Sequence, residues 1–415
     1  MIAAATNRQL GPNRELRIVS LSSEFPNPTE PGKGLFVRAR LLAVAARAHL
    51  KVIAPVALLD YANPRSQLFA SFRVPPQRRE NGIEILHPRW IYPPKGGWVN
   101  AFLLAARLLP PIATLRAREG YAAIDAHYAH PEGIAAVLVG RALGMPVLIT
   151  MRGSELRYRN QRIKRYWIGW ALKRASRVIA VSEGLRQLAL ELGVPYARTA
   201  VIPNGIDADM FHPRDRRGAR EKHKLGDDPV ILCAGDLAEL KGHHRVIRAV
   251  KTLTDRGLKA SLVIAGGVGR SGRYAAAIRQ QVIDCGLEDR VRFTGEVKQD
   301  ALAELMSAAD VFCLASSSEG WPNVVNEALA CGTPVVATDV GAVRQMITSQ
   351  TYGFIVPVDN PDALADALGS ALTRQWDHDV ISAWGRSRSW DHVANEVLVQ
   401  VSAAVAEHSS RQTPR

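Results

Sequence analysis

Two carboxylates flank a helix start that suits an anion. In the stretch SSSEGWPNVVNEALACGTPVVATD, Glu319 lies in a loop and Pro322 with Asn323 opens a helix. Glu327 falls about one turn inside that helix, and Gly332 with Pro334 ends it before a strand. A helix N-terminus presents unpaired N–H groups and a partial positive charge, so a phosphate is favoured there. Carboxylates beside a phosphate repel it unless they face the neutral hydroxyls of whatever the phosphate is attached to. The pattern therefore predicts an anion held by the amides of Asn323, Val324 and Val325, with Glu319 and Glu327 bordering the same ligand. The plain alternative is a Glu319 that caps the helix and a Glu327 on a solvated face.

Three other loops carry chemistry-bearing residues. In GDLAELKGHHRVI, Lys241 falls between a strand end and a helix start, where a cation meets a bound phosphate. In IDAHYAHPEG, alternation sends Asp125 and His127 to one face and puts His127 at the strand's carboxyl end, so His127 and His130 are candidate cleft residues, satisfied structural histidines being the other reading. In EFPNPTEPGKGLFVRAR, Gly32 and Gly34 precede a helix and let backbone amides approach a phosphate or a sugar; a glycine turn with no ligand is the other reading. Two patterns mislead. Gly267 to Gly272 reads GVGRSG, but it follows the second strand of its domain, whereas the dinucleotide fingerprint follows the first. Asp207 and Asp209 resemble a metal-binding pair, yet a turn explains them, and no metal site is expected.

Short β-rich runs (RIVSLS, LKVIAPV, IEILHP, AIDAHY, VLITM, RVIAVS) alternate with helical patterns, and after VIPNGID the alternation restarts with PVILCAGD, ASLVIAGG, RVRFTG, DVFCLAS and PVVATD. Such an order predicts α/β architecture with two wound parallel sheets. The expected division is residues 1–202, residues 203–383, a helix over 384–406, and a disordered tail over 407–415. Four scattered cysteines without C-x-x-C spacing argue against a zinc site or disulfide framework. The apolar run AFLLAARLLPPIATL holds Arg107 and two prolines and is too short to span a bilayer. With no leader pattern at the start, a cytoplasmic location is expected. Net charge is +14, and residues 1–200 hold 29 Lys+Arg against 12 Asp+Glu, which places any basic surface in the first half. Residues 152–177 interleave nine Lys+Arg with Tyr158, Tyr166, Trp167 and Trp170, which suits a helix lying at the headgroup level of an anionic membrane; an ordinary amphipathic helix with its tryptophans packed inward and its cations solvated is the other reading.

With these loops in place, the chain resembles family 4 of the retaining glycosyltransferases from about residue 16 to 400. The specific part is similar to the family's E-G-x-x-N-x-x-x-E-A-x-A-x-G-x-P-V-V-A signature, supported by VIPNGID, by Lys241-Gly242 and by SWDHVA. The resemblance implies the GT-B fold: two Rossmann-like domains facing a cleft, with a C-terminal helix crossing back to the first. It implies a nucleotide-diphosphate sugar as donor, transferred with retention to an acceptor hydroxyl and without a metal or other cofactor. Glu319 would lie beside the donor sugar, Glu327 would accept from the ribose, Lys241 would contact the diphosphate, and the Gly34 loop would pack near it. His127 would stand near the reacting carbon. The family often has an arginine where this chain has Asp236, and Arg152 is the candidate substitute, a surface arginine being its other reading. Together with the basic first half, the resemblance leads to an expected acceptor sugar or lipid-linked glycan in cell-envelope or exopolysaccharide assembly, peripheral to the inner membrane face, with no nucleic acid. The alternatives are an epimerase or hydrolase of nucleotide sugars on the same fold, and a basic nucleic-acid-binding protein.

Overall fold

The computed structural model describes residues 16–58, 70–93, 96–268 and 272–412. The chain separates into two α/β units: one runs through Gly205 and resumes at Trp390, and the other is Ile206–Ser389.

The first unit is built on an eight-stranded sheet. Its strands are β1 (Arg17–Leu21), β2 (His49–Ile53), β3 (Gln77–Glu80), β4 (Ile83–Leu86), β5 (Ala123–His127), β6 (Val147–Met151), β7 (Arg177–Ala180) and β8 (Thr199–Val201). They lie in the order β8-β7-β6-β5-β1-β2-β4-β3, parallel except for the β3–β4 hairpin. Strands β5 and β6 are buried at every position, as a sheet covered by helices on both faces requires. Helices α1 (Leu35–Ala45), α2 (Val99–Glu119), α3 (Ile134–Leu143) and α4 (Arg162–Arg174) serve this unit. Ile18, Leu41, Val52 and Val397 are among its fully enclosed core side chains, each contributing about 1.5–3 kcal/mol by burial.

The second unit carries six parallel strands: β9 (Val230–Ala234), β10 (Ser261–Ala265), β11 (Val291–Gly295), β12 (Val311–Leu314), β13 (Val335–Thr338) and β14 (Gly353–Val356). Their order is β11-β10-β9-β12-β13-β14. Two apolar layers, one around Phe312 and Leu329 and the other around Ile247 and Leu262, cover the two faces of this sheet. Helices α5 (His243–Asp255) and α6 (Asn323–Ala330) begin at the carboxyl ends of β9 and β12. Strand order reverses direction between β9 and β12 here, and between β1 and β5 in the first unit. Ligands of open parallel sheets bind outside such switch points.

Several expectations of extent need correction. The second unit begins at Ile206 rather than 203 and ends at Ser389 rather than 383. Its end is later because Trp384 donates to Met346 O at 2.7 Å and stacks on Tyr352 at 5.0 Å. The following helix is Trp390–Gln412, so residues 407–412 are helical instead of a disordered tail. Glu407 accepts from the buried Arg177 at 2.9 Å, and His408 Nε2 lies 3.0 Å from Gly144 O, which fixes that last turn to the first unit. The basic 152–177 segment is not one helix either. Residues Ser154–Tyr158 form a 3-10 turn, only Arg162–Arg174 is α-helical, and Arg152, Glu155 and Arg177 are buried. No helix among the described residues is long and apolar enough to cross a membrane. Of GVGRSG, residues 269–271 lie outside the described residues. Asp207 Oδ1 accepts from the amides of Asp209 and Met210 at 3.2 and 3.1 Å, a turn that needs no metal.

Candidate functional site

Each unit gathers polar groups at its switch point, and the two gatherings differ in kind. In the second unit, Lys241 Nζ sits 2.7 Å from Glu319 Oε1, which also accepts from Ser316 Oγ at 2.8 Å. The loop that carries Glu319 rests on the turn that carries Lys241: Ser317 N donates to Leu240 O at 2.9 Å, and Arg245 donates to Ala315 O at 3.2 Å. Gly242 makes this approach feasible. It has φ 70°, and a Cβ there would stand 1.9 Å from Ala315 O, so any side chain would push the two loops apart. Thr338 Oγ1, from the end of β13, donates to Ser316 O at 2.6 Å and steadies the loop from beneath.

Helix α6 starts at Asn323 with no side-chain cap and no acidic residue in its first turn. Glu319 therefore does not cap it. The Val325 amide donates to Pro322 O at 3.0 Å, so of the three amides expected to hold an anion, Val325 is already engaged within the turn. Glu327 is half-buried instead of lying on a solvated face. It forms no ion pair among the described residues, and burial pushes its carboxyl up to about 7. In the same unit, Trp321 Nε1 and His243 Nδ1 are buried without hydrogen-bond partners among the described residues. Lys241 and Glu319 are partly exposed.

In the first unit the polar groups are buried and largely paired with one another, although Asp125 Oδ1, His127 Nε2 and Glu132 Oε2 have no hydrogen-bond partner among the described residues. His127, at the tip of β5, is 0% exposed; its Nδ1 accepts from Arg152 Nε and Nη2 at 3.1 and 2.8 Å, while Nε2 stands 3.2 Å from Asp125 Oδ2. Arg152 also donates to Asn204 Oδ1 at 3.1 Å and lies over the Phe36 ring at 5.2 Å. Arg40, from α1, reaches the same cluster, donating to Thr150 Oγ1 at 3.0 Å and standing 3.5 Å from Asp125 Oδ2. Burial would raise the Asp125 carboxyl, but Arg40 and then His127 reverse that and hold it well below its ordinary value. Burial lowers His127 to about 3, so the ring is neutral; it lowers Arg152 to about 9.

His127 keeps Nδ1 on Arg152, while Nε2, 3.2 Å from Asp125 Oδ2, is buried without a hydrogen-bond partner among the described residues. One expectation changes as a result. Arg152 is neither a surface arginine nor open to a diphosphate, because its guanidinium is enclosed and bonded to His127 and Asn204. His130 is turned away as well, its Nε2 3.2 Å from Gly97 O and its ring edge-on to Tyr158. The Gly34 turn approaches Glu24 closely: Gly34 has φ 62°, and a Cβ would lie 2.2 Å from Glu24 O. Sequence reasoning missed Arg40, Glu132 and Glu155. Glu155 accepts from the amides of Ala129, Arg152 and Gly153 at 2.8, 3.2 and 2.9 Å, binding the β5 and β6 tips together. Glu132 Oε1 accepts from Ser23, at the start of the loop after β1, and burial pushes its carboxyl up to about 7. The one available signal was position: both glutamates lie in the short turns after strand ends at His127 and Met151.

Two Rossmann-like units of this topology make the GT-B fold. Residues 65–210 match the model for Glycosyltransferase Family 4, and residues 215–388 match the model for glycosyl transferases group 1. The chain belongs to glycosyltransferase family 4. A D-inositol 3-phosphate glycosyltransferase of Mycobacteroides abscessus is 32% identical over 52% of this chain and 49% of its own length. The chain thus spans about half the length of the curated relatives it matches first. A putative teichuronic acid biosynthesis glycosyltransferase of Bacillus subtilis is 27% identical over 88% of this chain and 90% of its own. Among solved structures, Anabaena HepE in complex with UDP shares the fold with a TM-score of 0.71 at 19% identity, covering 94% of this chain and all of that one.

Proposed function

We propose that the protein transfers a sugar from a nucleoside diphosphate donor to an acceptor hydroxyl, with retention at the anomeric carbon and without a divalent metal. The observation that carries this reading is the uncapped start of α6 beside the Lys241–Glu319 pair at the switch point of the second unit. Transfer of this kind depends on stabilising charge on the departing diphosphate more than on a strong base. A donor diphosphate at the α6 start would draw Lys241 toward itself and release Glu319 Oε1 to accept from a sugar hydroxyl. Glu327, which forms no ion pair among the described residues and ionises near neutrality, suits the hydroxyls of a ribose. Together, Lys241 and the helix start do what a divalent ion does in other transferases. The Gly34 turn lies after β1 at the other switch point, where Glu132 anchors it through Ser23. His127 serves this reading by position, as the neutral filling between Asp125 and Arg152, and the diphosphate itself is left to take the acceptor proton.

The likeness to the teichuronic acid glycosyltransferase supports a polymer of the cell envelope as the setting, with an acceptor sugar or a lipid-linked glycan. The UDP-bound neighbour supports a nucleoside diphosphate donor. The test is a thermal-shift screen of nucleotide sugars, followed by transfer with the best donor in the presence of EDTA. A stabilising nucleotide sugar and EDTA-resistant transfer support the reading. If no nucleotide sugar stabilises the protein, the donor site is misassigned. Free sugar or an epimer formed without any acceptor would instead make it a hydrolase or epimerase.

A further inference from the structure

The first unit exposes an aromatic cluster that no step of sugar transfer uses. Trp98, just before α2, stacks on Trp167 of α4 at 6.0 Å and 15°. Phe102 meets both edge-on at 5.6 and 5.0 Å, and Tyr166 and Trp170 extend the cluster along α4. Its rim is open: Tyr166 is 66% exposed, Ile163 58%, Val99 39% and Trp98 38%. Isolated exposed apolar residues are ordinary, but a contiguous group from two helices marks an interaction surface.

The two chain segments that carry it hold charges of one sign. The thirteen residues of α4 include five Lys+Arg, and neither 91–118 nor 156–182 contains an Asp or Glu. Arg162, Arg165 and Lys173 form no ion pair among the described residues. Arg174 lies over the Trp170 ring at 4.7 Å, keeping a cation at the edge of the apolar group. A partner must therefore be anionic and must also accept aliphatic and aromatic edges.

We propose that this two-helix face, formed by the start of α2 and by α4, docks the protein on an anionic lipid bilayer. A bilayer interface takes amphipathic rings and aliphatic tips at headgroup level while its anionic headgroups meet the surrounding cations. Single-stranded nucleic acid fits less well, because it needs free ring faces on which bases stack. Trp98 and Trp167 spend their faces on each other, leaving mainly rims, with Ile163 and Val99 beside them. The proposal is independent of the transfer reading, since a chain with no donor site would still bind.

The experiment is flotation of the full chain with phosphatidylcholine vesicles, with or without phosphatidylglycerol or cardiolipin. The protein should float with anionic vesicles at low salt, release at high salt and ignore neutral ones. Ile163→Ser with Tyr166→Ser, and separately Arg162→Glu with Lys173→Glu, should each weaken binding by about tenfold or more, with unchanged thermal melting because all four side chains are exposed. Arg217→Glu, exposed in the second unit, should bind as the parent does. No flotation with anionic vesicles at low salt overturns the proposal, as does parent-like binding by both double variants. A dimer in solution that dissociates in Ile163→Ser with Tyr166→Ser would assign the face to a second copy. Displacement from vesicles by an oligonucleotide, with tight binding to it, would assign it to nucleic acid; either result refutes the membrane role.

Discussion

The strand tips of the first unit and those of the second start from the same topology and end in opposite chemistry. Around His127, two arginines, an aspartate and a neutral imidazole are buried together and paired at 2.8 to 3.5 Å, with Asp125 Oδ1 and His127 Nε2 left without a hydrogen bond among the described residues. Around Lys241, its ion pair with Glu319 is partly open to solvent, in the same unit as a helix start without a side-chain cap and a Glu327 carboxyl that forms no ion pair among the described residues. A sealed charge cluster is a device of shape: removing one member leaves the others charged and dry. An open one is a device of binding, since its groups can exchange a protein partner for a ligand.

The contrast predicts the largest stability change in the sealed cluster. Asp125→Ala should destabilise the protein by about 3–5 kcal/mol, because Arg40 and Arg152 lose the anion between them; urea unfolding measures it. A change below about 1 kcal/mol would mean that the cluster is not the structural element described here. Lys241→Ala should shift unfolding by no more than about 1 kcal/mol, as for other partly exposed pairs, and still reduce transfer at least about 100-fold. A folded Lys241→Ala protein with parental turnover would remove lysine from the donor site.

Two pH responses distinguish the units further. His127 is lowered in the fold to about 3, so its contribution to stability is present above its unfolded value of 6.5 and is lost as pH falls toward 3. Asp125, also lowered, acts in the same direction. Acidification should therefore unfold the parent more steeply than a His127→Gln variant, as followed by near-ultraviolet circular dichroism. Glu327 has the opposite sign. Its carboxyl is raised from 4.5 to about 7, so its contribution is full below 4.5 and is lost as pH rises through 7. Glu327→Gln should melt like the parent at pH 5 and be more stable at pH 8 by about 1–2 kcal/mol, while losing donor affinity. Comparing the variant with the parent at each pH cancels Glu132, which titrates over the same range.

The open half was more legible in the sequence than the sealed one. Glu319, Pro322, Glu327 and Gly332 lie within fourteen residues of chain, and local turn and helix rules place them. The sealed half depends on contacts far apart in sequence: Arg40 bonds Thr150 across 110 residues and Asp125 across 85. Nothing in LFVRARLL marks Arg40 as inward-facing. Arg152 was misread for the same reason, since its enclosure comes from Phe36, His127 and Asn204 together. Strand β3 escaped notice because QRRE, the edge of its sheet, has no apolar alternation. The C-terminal helix was cut short because only Arg177, from a distant strand, explains why Glu407 stays ordered.

Calorimetric titration with the nucleoside diphosphate that best stabilises the protein, applied to the parent, Lys241→Ala and His127→Gln, tests whether the open half binds while the sealed half holds shape. Lys241→Ala should bind at least about tenfold more weakly with an unchanged melting temperature of the free protein, whereas His127→Gln should melt earlier and, while folded, bind as the parent does. Unchanged affinity in Lys241→Ala, together with lost affinity in a fully folded His127→Gln, would contradict it.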